Sequence, residues 1–399
     1  MTTAAAHRSP LFLIAFALGN AGGVIGYLPL LSLLLPIKIA HVAGADRIGA
    51  LTATVVAGAV VASGANILFG WLSDRSVARG GGRRGWISGG IVATALSYAL
   101  VVLADTPLAI VAAIMLFQVA VNAVLAPMLA IMADEIPDAQ KGVAGGLLAL
   151  GNPAAALVSA LLIASPALSD GVRLGIVAAA MAAALLPLLL MRAVPLGSVA
   201  APTATAENPM AWRDLAIASL ARLLVQVAGS ALSLYLLYYF ESVVPGAAPH
   251  ALAAYIGVLL AVSYVVPLPA AVLLGRLSDR LQARKPFLLG AGTLATAGLV
   301  VMAAATDRTA GAIGFGIYAV GSAVFLALHA GFAMQLLPDP RRRGRDLGLL
   351  NLTNTLPALL GPLLTWALAT PQDFTPLLAV LSAVTLCGGF AILPVRTRR

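Results

Sequence analysis

Arg222 stands inside an apolar run, 213–240, and Gln226, Ser230 and Ser233 follow it at intervals of three or four. Residues so spaced share one face of a helix, so these four form a single polar stripe. A guanidinium can bind a carboxylate through two parallel hydrogen bonds, or act as a charge in a gate. Pairing with Asp214, two turns away, is the competing structural account. A second stripe, Tyr318, Ser322, Phe325 and His329, lies in the run 309–336. Histidine titrates near neutral pH, so His329 offers proton coupling beside the simpler account of a buried neutral ring. Gln118 and Asn122 are one turn apart in 107–133, and Gly23 and Tyr27 in 10–37, with Asn20 beneath. Amides and aromatic rings around a cavity suit a neutral polyol or a mixed polar and aromatic solute. Interhelical hydrogen bonding without solute contact is the alternative. The candidate solute contacts are therefore Asn20, Tyr27, Gln118, Asn122, Arg222, Gln226, Tyr318, Phe325 and His329, with Arg222 and His329 as candidate coupling groups.

The elements that carry these residues are set by a solvent of hydrocarbon. Of 399 residues, 61% are hydrophobic and 10% charged, whereas a soluble domain is about one quarter charged. A bilayer core about 30 Å thick needs roughly 20 apolar residues per helix. Twelve stretches qualify: 10–37, 47–72, 86–104, 107–133, 142–164, 172–192, 213–240, 250–275, 287–305, 309–336, 346–369 and 375–394. Internal prolines (Pro29, Pro127, Pro153, Pro267, Pro357) are tolerated where neighbouring helices satisfy the freed backbone groups. Tyr238 and Tyr239, near the outer end of the seventh stretch, are expected in an interfacial aromatic belt.

The basic residues orient the chain. With a cytoplasmic N-terminus, 19 of the 24 Lys and Arg fall on the cytoplasmic side, and Lys38, Arg47, Arg173 and Arg308 on the other. This is the positive-inside pattern, and it predicts both termini in the cytoplasm. Arg222 is left within a helix, about nine residues or roughly 13 Å from its cytoplasmic end. A charge at that depth is expensive unless paired or hydrated, so function is the default hypothesis. The first stretch is too long for a signal-peptide core and reads as a retained helix.

Several classes are excluded. One cysteine, Cys387, rules out an internal disulfide and a cysteine metal cluster. The four histidines are too scattered for a metal motif, and no cofactor is expected. No lysine is followed by Ser or Thr, so no Walker A phosphate loop exists. The net charge of +9 sits in short loops between apolar runs and argues for no nucleic-acid partner. An intramembrane enzyme would need a nucleophile and base, or metal ligands, at membrane depth. Arg222 and His329 have no acidic partner at the centre, so the chain is read as not an enzyme.

The chain also repeats itself. Gly70-Trp71-Leu72-Ser73-Asp74-Arg75 returns as Gly275-Arg276-Leu277-Ser278-Asp279-Arg280, 205 positions later. Ile136-Pro137-Asp138 and the following Gly146 to Asn152 return as Leu337-Pro338-Asp339 and Gly348 to Asn354, offset by 201 and 202. Six helices per half is even, so the halves are parallel repeats. The expected domains are an N-terminal six-helix bundle, 1–194, a cytoplasmic linker, 195–212, and a C-terminal six-helix bundle, 213–399.

At these loops the sequence resembles the major facilitator superfamily, whose hallmark has the form Gly-x-x-x-Asp-Arg-x-x-Gly-Arg-Arg. Gly70 and Ser73-Asp74-Arg75 fit, and Gly82-Arg83-Arg84 follows after an insertion; the second copy ends Arg284-Lys285-Pro286, without the glycine. The resemblance implies an all-α membrane protein, with twelve transmembrane helices in two pseudo-symmetric bundles. It implies a central cavity lined by the first, fourth, seventh and tenth stretches. The polar census gives the same division, since the third, sixth, ninth and twelfth hold no Asn, Gln, His or charge in their cores. It further implies gating by Asp74, Arg75, Asp279, Arg280 and Arg345, with Asp74 near the start of the eleventh stretch and Asp279 near the fifth. The expected activity is secondary transport of a small organic solute by alternating access. A proton is the candidate coupling ion, although the paired carboxylates of sodium-coupled sugar symporters are absent from the second stretch. The expected setting is the bacterial inner membrane, as a monomer in the lipid bilayer. A non-transporting receptor or scaffold, or an exporter or flippase of an amphipathic compound, are the alternatives.

Overall fold

The computed structural model describes residues 7–165, 167–193, 209–281, 283–336 and 343–395. Within these, the side chains of 133, 138–139, 141–142, 146, 209–212, 249–250, 279, 331, 333–336, 343–352 and 354–355 are not described. Most of the expected linker, 195–212, lies outside the described residues.

The chain is all-α, as a backbone in lipid must be to satisfy its own polar groups. In the first half, α1 (Pro10–Pro29) passes through a π-turn, Leu30–Leu34, into α2 (Leu35–Ala43). It is followed by α3 (Arg47–Ala78), α4 (Arg84–Leu103), α5 (Pro107–Glu135), α6 (Asp138–Leu148), α7 (Gly151–Ile163) and α8 (Asp170–Leu190). The second half holds α9 (Pro209–Val243), α10 (Pro249–Val265), α11 (Pro267–Arg280), α12 (Arg284–Ala303), α13 (Arg308–Leu336), α14 (Arg343–Leu368) and α15 (Thr375–Phe390). Among the described residues, eight helical runs are long and apolar enough to cross a membrane, beside shorter apolar helices at Gly151–Ile163, Leu356–Leu368 and Thr375–Phe390.

The helices start and break for local reasons. Ser9, Thr106 and Ser169 cap α1, α5 and α8 by accepting backbone N–H bonds from Phe12, Ala109 and Val172. The exposed Asp373 accepts from the Thr375 N–H at 2.8 Å, which opens α15 and holds this carboxyl below the usual range. Pro29 brings no N–H to the ladder, and a π-turn follows it, in which the Ser32 hydroxyl donates to the Leu28 carbonyl at 2.5 Å. π-turns concentrate at functional sites. The fifth predicted stretch breaks at Ala149–Leu150 ahead of Pro153, and the eighth breaks at Val266, next to Pro267.

Two compact units emerge from the packing: Met1–Val199 with Ala253–Ala261, and Ala200–Leu252 with Val262–Arg399. In the first, α1 packs on α7 and α8, α5 on α3 and α4, and α4 on α8. In the second, α9 packs on α14 and α15, α13 on α11 and α12, and α12 on α15. Each pairing in one unit has its counterpart in the other at the offset of the sequence repeat. Both cores are apolar, one around Phe16, Val124 and Leu185, the other around Val225, Leu288 and Phe325. Tyr238 and Tyr239 belong to the second unit's interior, not to an aromatic belt: they are 0% and 2% exposed, and the Tyr239 hydroxyl donates to the Met302 carbonyl at 2.8 Å.

Candidate functional site

The polar groups of the first unit are tied to one another across helices. On α5, Asn122 is buried; its amide donates to the Gln118 carbonyl at 2.8 Å and accepts from Asn66 on α3 at 3.1 Å. Gln118 is half-buried, and a Cβ added to Gly58 of α3 would lie 3.4 Å from its Cγ. On α1, Asn20 donates to the Leu148 carbonyl at 3.2 Å, one of the groups freed where α6 ends. Asn20 thus performs the backbone repair that a broken membrane helix requires. Gly151, which opens α7, leaves room for it: a Cβ there would stand 2.9 Å from the Asn20 amide nitrogen. Tyr27 is half-buried on the same helix. Asn66→Leu strands the buried Asn122 carbonyl oxygen, and one such loss is worth roughly 1–3 kcal/mol. A lowered thermal midpoint of the purified variant, restored by the shape-conserving pair Asn66→Leu with Asn122→Leu, is the expected result.

In the second unit, the Arg222 Nε donates to the Gln226 amide oxygen at 3.1 Å, and both side chains are half-buried on α9. Gln226 therefore fixes the guanidinium one turn away and occupies its Nε edge. On α13, His329 is 0% exposed, its Nε2–H donates to the Ala218 carbonyl at 2.7 Å, and its ring stacks on Phe325 at 5.8 Å. Its Nδ1 has no hydrogen-bond partner among the described residues. This is the geometry of a neutral ring tying α13 to α9, and Arg222 is within electrostatic reach of it. Tyr318 is 4% exposed, close to Ser322 and to Tyr264 of the eighth predicted stretch, and Tyr264 approaches Ser233. The stripes on α9 and α13 thus meet in one polar and aromatic cluster. Tyr264 was not legible as a member from sequence: no polar residue stands three or four positions from it, and only tertiary packing supplies its neighbours.

The expected gating residues fare differently. Asp74 is exposed, yet one of its oxygens lies 2.6 Å from Arg83. Arg83 is buried, donating to Ser73 at 2.7 Å and to Asp134 at 2.6 and 2.9 Å. Burial opposes its charge, but the bonds to Asp134 and Asp74 outweigh this and raise its pKa above the ordinary value. The neighbouring Arg84 reaches Glu135 at 2.9 Å and the Leu188 carbonyl at 3.1 Å. Arg8 closes the network on Glu135 at 2.5 Å while exchanging bonds with Gln140. The Gly-Arg-Arg element therefore clamps two acids at the end of α5, a partner set that sequence reasoning missed. Asp134-Glu135 beside the loop was the available signal. Arg75 is exposed, its guanidinium 5.3 Å from the Trp71 ring, and Arg280 is exposed at the end of α11. The side chains of Asp279 and Arg345 lie outside the described residues.

All-helical units with a shared internal plan, each carrying polar stripes inside helices long and apolar enough to cross a membrane, are the plan of a polytopic membrane protein. Residues 216–399 match the family model described as Major Facilitator Superfamily. Across its whole length the chain has the fold of several solved transporters. It is similar to a bacterial homolog of the human lysosomal transporter Spinster in an inward-facing, unoccupied conformation (17% identity, TM-score 0.66, covering 97% of this chain and 96% of that one). It is similar also to the nucleoside transporter NupG (13%, TM-score 0.70, 98% and 100%). A D-xylose-proton symporter matches comparably (13%, TM-score 0.69, 98% and 98%). No curated relative matches by sequence. The C-terminal sequence is thus similar to the Major Facilitator Superfamily, and the fold is that of these solved transporters.

Proposed function

We propose that the chain is a secondary transporter of the bacterial inner membrane that carries a small organic solute by alternating access. The reading has twelve spans, bundles 1–194 and 213–399 with a linker at 195–212, both termini cytoplasmic, and a monomer as the working unit. The observation that carries it is the half-buried Arg222–Gln226 pair on an apolar helix of a transporter fold. A charge at that depth is costly unless it is paired or hydrated, and in membrane helices such residues mark solute or ion paths. Gln118 and Tyr27 in the first unit, and Gln226 in the second, are the amide and aromatic contacts that suit a sugar-like or mixed polar and aromatic solute, and a guanidinium such as that of Arg222 suits acceptor groups such as carboxylate or hydroxyl oxygen. Asn20, Asn122, Tyr318, Phe325 and His329 hold that lining in place, and His329 with Arg222 forms the coupling pair if protons drive the cycle. Asp74, Arg75, Asp279, Arg280 and Arg345 are the gating residues of this scheme.

The test begins with thermal shift of the purified protein against nucleosides, pentoses and hexoses, dipeptides and aromatic carboxylates. Any hit goes to counterflow in proteoliposomes at two pH values. Arg222→Gln is expected to lower counterflow of the hit at least tenfold while leaving the thermal midpoint of the empty protein within a few degrees. Unchanged counterflow in Arg222→Gln removes the site; no flux of any stabilising compound removes the transporter reading in favour of a receptor.

A further inference from the structure

Apart from the polar stripes, each unit carries an apolar groove. The larger, about 670 Å³, runs between α3, α4 and α5, and includes Phe69, Gly85, Trp86, Gly89 and Leu116. The smaller, about 280 Å³, runs between α11, α12 and α13, and includes Leu274, Pro286, Phe287 and Gly290. Each of the seven residues lining the smaller groove stands 201 or 205 positions after a residue lining the larger one. The two grooves are therefore the same feature of the repeat, present twice.

Their chemistry is polarised. Along their length they are lined by exposed apolar side chains, Leu96 and Leu116 in one and Leu294 in the other. The floors are kept open by glycine: a Cβ at Gly89 or Gly290 would meet nothing within 4 Å, whereas the adjacent Gly90 would strike the backbone of α5 at 2.9 Å. An indole, Trp86, stands edge-on to Phe69 at 5.8 Å at the loop end of the larger groove. At that end the residues next to the lining in sequence are cationic. Arg75 and Arg79 are exposed beside Ser76 and Gly82, and Lys285 immediately precedes Pro286, with one of its three donors on the Leu393 carbonyl. An apolar channel capped by cations matches one component of the bilayer, an acyl chain that ends in a negative phosphate.

We propose that the two grooves are equivalent binding sites for an anionic phospholipid, with an acyl chain against Gly89 or Gly290 and the phosphate at Arg79 or Lys285. Delipidated protein in detergent is titrated with palmitoyl-oleoyl phosphatidylglycerol or phosphatidylcholine, and bound lipids are counted by native mass spectrometry. The expected result is two retained phosphatidylglycerols, each bound about fivefold more tightly than phosphatidylcholine from its extra cationic contact. Gly89→Leu and Gly290→Leu each lose one, the double variant loses both, and Gly64→Leu, an exposed glycine of α3 away from the groove, loses none. Equal binding of the two lipids, or two phosphatidylglycerols still held by the double variant, overturns the proposal. A readout that needs no filled groove uses Trp86 as the sole tryptophan, after Trp71→Phe, Trp212→Phe and Trp366→Phe. Bromine-labelled phosphatidylglycerol is expected to quench its emission at lower mole fraction than labelled phosphatidylcholine, and equal quenching counts against the site.

Discussion

Replacing Glu135 with Ala is expected to destabilise the first unit severely. The carboxylate is 5% exposed and serves two arginines, Arg8 at 2.5 Å and Arg84 at 2.9 Å, whose own side chains are 13% and 14% exposed. Removing it takes this carboxylate from two largely buried guanidinium groups. Breaking a buried ion pair in this way costs about 3–5 kcal/mol, far more than forming it gains. Glu135→Gln keeps an acceptor for one guanidinium and should fall between wild type and Glu135→Ala. Arg8→Ala should be milder, since Arg84 still neutralises the carboxylate. The check is the thermal midpoint in mild detergent together with yield from membranes. A wild-type midpoint for Glu135→Ala would show that the cluster is solvated and structurally idle.

Gly298→Val is expected to separate α12 from α13. A Cβ at this position would lie 2.2 Å from the Tyr318 nitrogen and 2.6 Å from the Gly314 carbonyl oxygen. Both obstacles are backbone, so no rotamer can yield. Overpacking a tight core costs about 1–3 kcal/mol and occasionally more, and a clash between two main chains belongs at the upper end. Even Gly298→Ala should be harmful, because the methyl carbon alone makes the collision. Small residues at a crossing let membrane helices approach closely enough to gain packing energy, and Gly321, whose Cβ would sit 2.3 Å from the Ala295 nitrogen, extends the same seam. Gly290→Ala on the same helix meets open space and should be neutral. Equal midpoints for Gly298→Val and wild type would mean that the seam is looser than described.

The fold was legible because hydrocarbon demands long apolar stretches, and little else in a sequence looks like them. The repeat was legible because two loops kept Ser-Asp-Arg and Pro-Asp at nearly one offset. What escaped was where helices are interrupted. Pro29, Pro153 and Pro267 were read as tolerated within continuous stretches, yet each stands at or near a break, and the π-turn at Leu30–Leu34 depends on an i to i+5 bond that no residue type announces. Within the polar census, rarity made Asn122, Arg222 and His329 conspicuous, yet not what each one touches. The bond from Asn66 to Asn122 spans 56 residues of sequence, and the Ala218 carbonyl that holds His329 is backbone, invisible to any reading of side chains. Tyr238 and Tyr239 were misplaced because position along a helix suggests depth, whereas burial depends on which face meets a neighbour. Arg83 and Arg84 looked like topology markers; the structure gives them Asp134 and Glu135, so charge in this loop also stabilises the bundle.

The proposed function requires that water reach the polar stripe of α5 in the first unit and that of α9 in the second. The most direct measurement is the reactivity of single cysteines toward a charged, membrane-impermeant thiol reagent in sealed vesicles of either orientation. Cys387→Ser supplies the background. Gln118→Cys and Gln226→Cys are expected to react from an aqueous face, and Leu116→Cys and Val300→Cys, exposed apolar positions in the same unit pair, to stay unlabelled. If Gln118→Cys and Gln226→Cys are inert from both sides, or label no faster than the two apolar positions, no water reaches the stripes and the account is wrong.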